Sequence, residues 1–277
     1  MTGVATVTLS AGTVYAVRKR DEGYALATEY SGSGDPQRTI ELLWGVSTRS
    51  SKGPKPKLTV AEVTSAAVDH ADAEGLSGLS IRRLADRLGV STMNLYTYVP
   101  SKAELIDLMV DRVLGEVLDG YGEASGWRTG LERIAATNWA LYERHPWLLG
   151  VSTARGPLGP NVMMKYELEL AAIEGIGLTD VEMDSVLSLV LWHTESTARR
   201  VADAAEAVRQ SGLSDVEWWE RSGPVLAQVA DFTRYPVAGR VGAASGEQHQ
   251  AASDVATAFE FGLARILDGV AVLIDRR

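Results

Sequence analysis

The stretch "LGVSTMNLYTYVPSKAEL" (88–105) decides how the rest of the chain is read. A glycine-containing turn leads into a short segment with two tyrosines, two threonines and an asparagine, and a new helix opens at once with Ser101 and Glu104 as its capping box. An ordinary surface helix is built from Glu, Lys and Ala; this one carries side chains that make specific contacts. The preceding "LSIRRLADRLG" (79–89) is its partner helix. Ala85 is small where the two helices touch, and Gly89, four positions on, is able to take the positive φ of a tight turn. Leu84, Leu88, Val90 and Leu95 fall where the apolar pins of a helix-turn-helix belong, which leaves Thr92, Asn94 and Thr97 facing outward. Asn pairs bidentately with adenine, and Thr offers a hydroxyl to bases or a methyl to thymine. Tyr96 and Tyr98 reach phosphate oxygens through their hydroxyls. Arg82, on the partner helix, is in range of a guanine or a phosphate, and Lys102 adds charge where free helix N–H groups already favour an anion. The same Ala/Gly/Leu spacing also occurs in helix pairs that bind no DNA.

The rest of the composition is compatible with that reading. The chain has 277 residues, 45% hydrophobic and 23% charged, enough for a small module joined to a larger body. No apolar run approaches the roughly 18 residues of a membrane span. The basic residues of "MTGVATVTLSAGTVYAVRKR" follow the apolar stretch, the wrong order for a secretory signal, so a cytoplasmic protein is expected. With no cysteine, thiolate catalysis, disulfides and Cys-based zinc sites are all excluded. The net charge of −9 is unevenly spread: residues 49–102 hold eight Lys/Arg against five Asp/Glu, which leaves −12 on the remainder. A basic N-terminal part on an acidic body suits a DNA-binding module; a solvated basic linker is the alternative.

Along the chain, residues 1–34 show little apolar periodicity and are expected to lack firm structure. "DPQRTIELLWG" (35–45) reads as a short helix with Asp35 at N-cap, Pro36 at N1, and Ile40, Leu43 and Trp44 as its apolar face. From Leu58 onward the pattern is helical almost throughout. Thr59/Glu62 caps a helix ending at Gly75, and Ser101 starts one of some 17 residues toward Leu118. A helix after Gly126 breaks at His145-Pro146, and Thr179/Glu182 caps one of about thirty residues ending near Ser211-Gly212. Ser214/Glu217 caps another. A loop over 239–252 is expected before a final helix from Ser253 to about Asp275. The fold class is all-α, with no strand ladder and no internal repeat.

The run "TVAEVTSAAVDHADAEGLSGLSIRRLADRLGVSTMNLYTYVPSKAELIDLMVDRV" resembles the DNA-binding domain of the TetR/AcrR family of bacterial repressors. More weakly, "ERHPWL" (143–148), "WWERSGP" (218–224) and "FEFGLARILDGVAVLI" (259–274) look like the larger antibiotic-responsive members that control drug exporters. The resemblance implies a three-helix helix-turn-helix domain over 58–104 and a ligand-binding and dimerisation body over 105–277, with 1–57 as an extension. It implies Arg82, Thr92 and Asn94 as base readers, Met93 against a thymine methyl, and Tyr96, Thr97, Tyr98 and Lys102 as phosphate contacts. The extension departs from the common pattern. Its Arg49, Lys52, Lys55 and Lys57 suit an arm lying in an adjacent minor groove, or equally a tether adding unspecific charge.

By the same resemblance the partners are palindromic operator DNA, a small-molecule inducer and a second copy of the chain, with no membrane and no cofactor. The stripe Val255, Phe259, Leu263, Ile266, Val270 and Leu273 on the final helix, with Gly262 and Gly269 allowing close approach, is expected to pair with the long 179–211 helix across a two-fold axis; the alternative is that it serves as monomer core. Aromatic and methionine side chains crowd the body. Met109, Asn138, Trp139, Tyr142, Trp147, Met163, Trp192 and His193 are the expected ligand contacts, although such residues often form plain core. No G-x-S-x-G, H-E-x-x-H or P-loop is present, and the histidines at 70, 145, 193 and 249 form no metal-binding pair, so neither an enzyme nor a metal site is expected. A helical small-molecule carrier without DNA-binding activity is the remaining alternative.

Overall fold

The computed structural model describes residues 4–8, 14–18, 29–46, 58–122, 125–249 and 255–276. Among the described residues, three strands precede the first helix: β1 (Val4–Thr8) and β2 (Val14–Arg18) pair antiparallel, and β3 (Glu29–Tyr30) reaches into the body. Helices then follow as α1 (Pro36–Leu43), α2 (Val60–Glu74), α3 (Ile81–Arg87), α4 (Thr92–Leu95), α5 (Lys102–Leu114) and α6 (Trp127–Arg144). After the short β4 (Val151–Ser152) come α7 (Pro160–Ala171), α8 (Asp180–Ser211), α9 (Asp215–Val229), α10 (Pro236–His249) and α11 (Val255–Asp275). The class is all-α, as the periodicity implies.

Local chemistry explains most boundaries. Thr59, Thr179 and Ser214 each accept from the N3 backbone N–H while the N3 glutamate returns to the cap, so α2, α8 and α9 start at reciprocal capping boxes. α8 runs 32 residues and stops at Gly212 in the left-handed region, φ 69°. α5 is the central element. Leu105, Ile106, Met109, Val110 and Val113 are at most 1% exposed, and the helix packs on α2, α1 and α7. One core joins α2–α5 to Leu141, Trp147 and Leu148 of the body; a second joins α6 and α8 to α11. The packing is therefore continuous across residues 104 and 105.

Several expectations need correction. The described parts of the first 34 residues hold regular structure: besides the antiparallel β1–β2 pair, Glu29 and Tyr30 pair in parallel with Val151 and Ser152. On α1 the face packed on the core is Leu42 and Leu43 with buried Thr39, while Ile40 and Trp44 are exposed, the Trp44 indole donating to the Leu158 carbonyl at 2.8 Å. The α5 helix ends at Leu114, and a 3-10 turn continues over Gly115–Tyr121. The expected loop over 239–252 is helical to His249, started by Pro236 at a position that needs no N–H. The α11 stripe lies inward: Leu263, Leu267 and Val270 are buried, flanked by Phe259 and Ile266, against α6 and α8 of the same chain. Gly262 is needed there because a Cβ would sit 2.3 Å from the His193 ring.

Candidate nucleic-acid interface and the body behind it

The α3–α4 pair is a helix-turn-helix held by its pins. Ala85 and Leu95 are fully buried at the crossing, and Leu84 and Val99 close it from either side. Gly89 adopts φ +66° in the turn, with the Val90 N–H donating to the Ala85 carbonyl at 3.0 Å. Ser91 caps α4 by accepting from the Asn94 N–H at 3.2 Å. This fixes which side chains point away. Arg82 and Thr97 are exposed, as are Met93 (76%) and Tyr96 (44%), while Thr92, Asn94 and Tyr98 are half-buried. The Thr97 hydroxyl donates back to the Asn94 carbonyl at 2.7 Å, and Tyr98 packs against the core. Arg82, Met93, Tyr96 and Thr97 are thus open to solvent, whereas Tyr98 is partly committed to the core. Lys102 stands in the first turn of α5, where its ammonium contacts the Glu29 carboxylate at 2.5 Å. Arg49, Lys52, Lys55 and Lys57 lie outside the described residues.

A polar joint connects this module to the body. His145 Nδ1 lies 2.7 Å from Asp72 of α2 and Nε2 lies 3.1 Å from Glu116, while the Trp147 indole also donates to Asp72 at 2.7 Å. The break at His145-Pro146 places these groups: α6 ends at Arg144, and a 3-10 turn over Pro146–Gly150 tucks Trp147 and Leu148 beneath α2. A row of buried carboxylates on α5 makes further ties. Asp107 accepts from the Ser31 hydroxyl and from the Gly32 N–H at 2.9 Å. Asp111 accepts from the Val162 N–H at 3.0 Å, capping α7, whose own N-cap is Gly159. Burial pushes both carboxyls above their usual range, and these hydrogen bonds oppose the shift.

Inside the body four polar groups converge. Glu169 Oε1 accepts from Lys165 Nζ at 2.5 Å, from the Tyr121 hydroxyl at 2.6 Å and from Asn138 Nδ2 at 3.2 Å. Glu169 is 1% exposed, and burial beside its charge pushes the Tyr121 phenol far above its ordinary value. Beside this knot a cavity of about 420 Å³ opens between the 115–121 turn, α6 and α7, walled by Tyr121, Trp127, Ile134, Leu168 and Ile176.

The structure spreads the expected ligand contacts over separate places rather than one chamber. Asn138 belongs to the polar knot. Met109, Tyr142 and Trp147 sit in the core shared with the helix-turn-helix. Trp139 and His193 both pack on Phe259 of α11, at ring-centroid distances of 4.7 and 5.5 Å. Met163 and Trp192 are exposed, the latter beside a shallow groove with Arg199 and Asp203. None of them lines the 420 Å³ cavity. Sequence reasoning missed Tyr121, Lys165 and Glu169. The available signal was register: 165 and 169 are four apart on one face of α7, which leads to fully buried Ile173 just past its end.

Comparison with known proteins agrees with this geometry. Residues 63–109 match the family described as bacterial regulatory proteins, tetR family, and residues 121–274 match the tetracyclin repressor-like, C-terminal domain. The chain is 47% identical over 257 residues to the HTH-type transcriptional repressor DrrR1 of Streptomyces coeruleorubidus, covering 92% of this chain and 93% of that protein. Apo ActR from Streptomyces coelicolor shares the fold with a TM-score of 0.64 at 26% identity, over 81% of this chain and 99% of its own. ActR in complex with actinorhodin gives a TM-score of 0.63 at 26% identity, over 80% and 99%. No described helix is long and apolar enough to cross a membrane. The chain belongs to the TetR family of bacterial transcriptional repressors: it is a DNA-binding regulator, not an enzyme.

Proposed function

We propose that the protein is a cytoplasmic, ligand-responsive homodimer that holds a palindromic operator until a small, largely apolar molecule binds its body, and that it controls a drug or antibiotic exporter. In this reading residues 58–104 form the DNA-binding module and 105–277 the sensing and pairing body. Arg82, Thr92, Met93 and Asn94 read bases, and Tyr96, Thr97, Tyr98 and Lys102 hold phosphates. One observation carries the proposal: the 420 Å³ cavity is walled by Tyr121, at the end of the turn that continues α5, while Lys102 opens the same helix at the DNA surface. That volume falls in the range of about 300–1,000 Å³ typical of small-molecule sites. The solved complex of ActR with actinorhodin supports a body that takes an organic ligand. For pairing, α8 leaves Leu189 and Trp192 exposed and α11 leaves Phe261 and Val272 exposed, apolar faces suited to a four-helix contact about a two-fold axis.

The test measures operator affinity with and without a compound shown to bind by tryptophan quenching, using duplex from the chain's own upstream region. Ligand that favours a DNA-incompetent state weakens operator binding, and DNA weakens ligand binding by the same factor. Asn94→Ala is expected to cost about 1–3 kcal/mol of specific binding and relax one position per half-site. Equal operator affinity with every such binder removes the inducer reading; unchanged preference in Asn94→Ala removes the assigned reading face.

A further inference from the structure

The segment 29–46 lies along α5 and is fastened at points spread over its length. β3 pairs with β4 of the body, and the Ser31 N–H donates to the Ser152 carbonyl at 3.0 Å. Ser31 and Gly32 both donate to buried Asp107 of α5. Gly32 sits at φ +66° with no room for a side chain, since a Cβ would lie 2.6 Å from the Arg155 carbonyl oxygen. Beyond it, α1 packs on α5, Arg38 stands 3.9 Å from Glu104, and Trp44 donates to Leu158. Glu29, at the start of this segment, therefore has a fixed position, and that position is on Lys102 at 2.5 Å.

Lys102 is the cation placed for a DNA phosphate. A carboxylate this close satisfies the ammonium and repels an arriving phosphate, so the two anions compete for one charge. We propose that residues 29–46 form an intramolecular strap that restrains DNA binding: Glu29 occupies Lys102, and operator engagement requires Lys102 to exchange that carboxylate for a backbone phosphate. The strap deepens the repressor reading and rests on it. Because β3 is strung on β4, directly after the 3-10 turn that holds Trp147 beneath α2, the restraint is set by the body and not by the DNA-binding module alone. A shift of that turn carries Glu29 with it, toward Lys102 or away.

The experiment uses the full chain with duplex from its own upstream region and a scrambled duplex of equal length, over a range of salt concentrations. Glu29→Gln is expected to tighten binding to both duplexes by roughly two- to fivefold per reading helix, the size of a partly exposed ion pair, and to steepen the salt slope by about one phosphate contact per protomer. In a Lys102→Met background the same substitution is expected to change nothing. Glu41→Gln on α1, a carboxylate that accepts from Gln37, removes an equal charge without touching the Glu29–Lys102 pair and is the control for a general field effect. Tightening that persists without Lys102, or that Glu41→Gln reproduces, overturns the strap, as does unchanged or weaker binding by Glu29→Gln. Ser31→Ala, which loosens the tie to Asp107 without altering charge, should shift affinity in the same direction as Glu29→Gln, and the opposite shift counts against the strap. If the wild-type chain binds neither duplex, the repressor reading fails and the strap with it; if it binds and only the Glu29 effect is missing, the strap alone fails.

Discussion

Replacing Lys165 with methionine would leave the Glu169 carboxylate 1% exposed, with two neutral donors, Tyr121 and Asn138, and no bonded cation among the described residues. The pair is short, 2.5 Å, and both side chains are under 10% exposed, so solvent does little to replace the lost partner. Two contributions add. The charge-assisted hydrogen bond is worth roughly 1.5–3 kcal/mol. The stranded carboxylate then bears its desolvation without compensation, which brings the expected cost of Lys165→Met to about 3–5 kcal/mol. Tyr121→Phe removes one neutral donor from the same oxygen and is expected to cost less, about 1–2 kcal/mol. In Lys165→Met/Glu169→Gln the charge is gone while an amide oxygen still accepts from Tyr121 and Asn138, so most of the loss should return. The assay is urea unfolding followed by tryptophan fluorescence at one fixed chain concentration, because association shifts apparent stability. A Lys165→Met loss below about 1 kcal/mol, or a double variant as unstable as the single, would refute the buried, charge-compensated knot.

Gly89 takes φ +66° in open space, so Gly89→Ala tests backbone strain alone: a loss of roughly 1–2 kcal/mol is expected, and a smaller one for Gly89→Asn. Equal stability of all three proteins in urea would mean the turn does not need the left-handed region. Asp107 has its carboxyl raised above the ordinary 3.8, chiefly by burial, with hydrogen bonds from Ser31 and Gly32 pulling it down and nearby Glu104 pushing it up. A raised carboxyl favours the folded state when protonated, and this contribution is lost as pH rises through the raised folded value. Asp107→Asn should therefore gain stability over wild type near pH 7, with the gain shrinking as pH falls toward the ordinary carboxylate range; a gain that grows on acidification contradicts the burial argument.

The parts legible in the sequence are those fixed by neighbours along the chain. Thr59/Glu62, Thr179/Glu182 and Ser214/Glu217 announce helix starts because a capping box closes within three residues. The pins of the helix-turn-helix are equally local: Ala85, Gly89 and Leu95 lie within eleven positions and their spacing marks the buried side, although Thr92 and Asn94, expected to face outward, are half-buried. What was not legible depends on distant partners. Glu29 meets Lys102 and pairs with Val151, and nothing near residue 29 announces either. Trp192 follows two largely buried positions by a rotation of about 100° per residue, enough to turn a large aromatic from core to 66% exposure. The 236–249 helix was hidden by its glycines, residues that locally disfavour helix; only Pro236 marked its start.

α5 gives the proposed regulation its mechanical logic. Its thirteen residues span about 20 Å, and its buried faces are committed to different elements: apolar contacts to α2, Asp107 to the strap, Asp111 to the start of α7. A close-packed helix with such ties moves as a unit, because bending it would break buried hydrogen bonds and open voids on several sides. A ligand that displaces the Tyr121 end by about 1 Å, with α5 pivoting near its middle, moves Lys102 by a similar distance the other way. In a two-fold dimer the displacement occurs twice, changing by about 2 Å the separation of reading helices that must span one turn of DNA, about 34–36 Å. The Asp72–His145–Trp147 joint transmits the same motion to α2, so the DNA-binding module would follow α5 as one body. Weakening the joint with Trp147→Phe, which keeps an aromatic ring but loses the indole N–H to Asp72 while His145 still bonds that carboxylate, is therefore expected to leave ligand binding intact while reducing the ligand's effect on operator affinity.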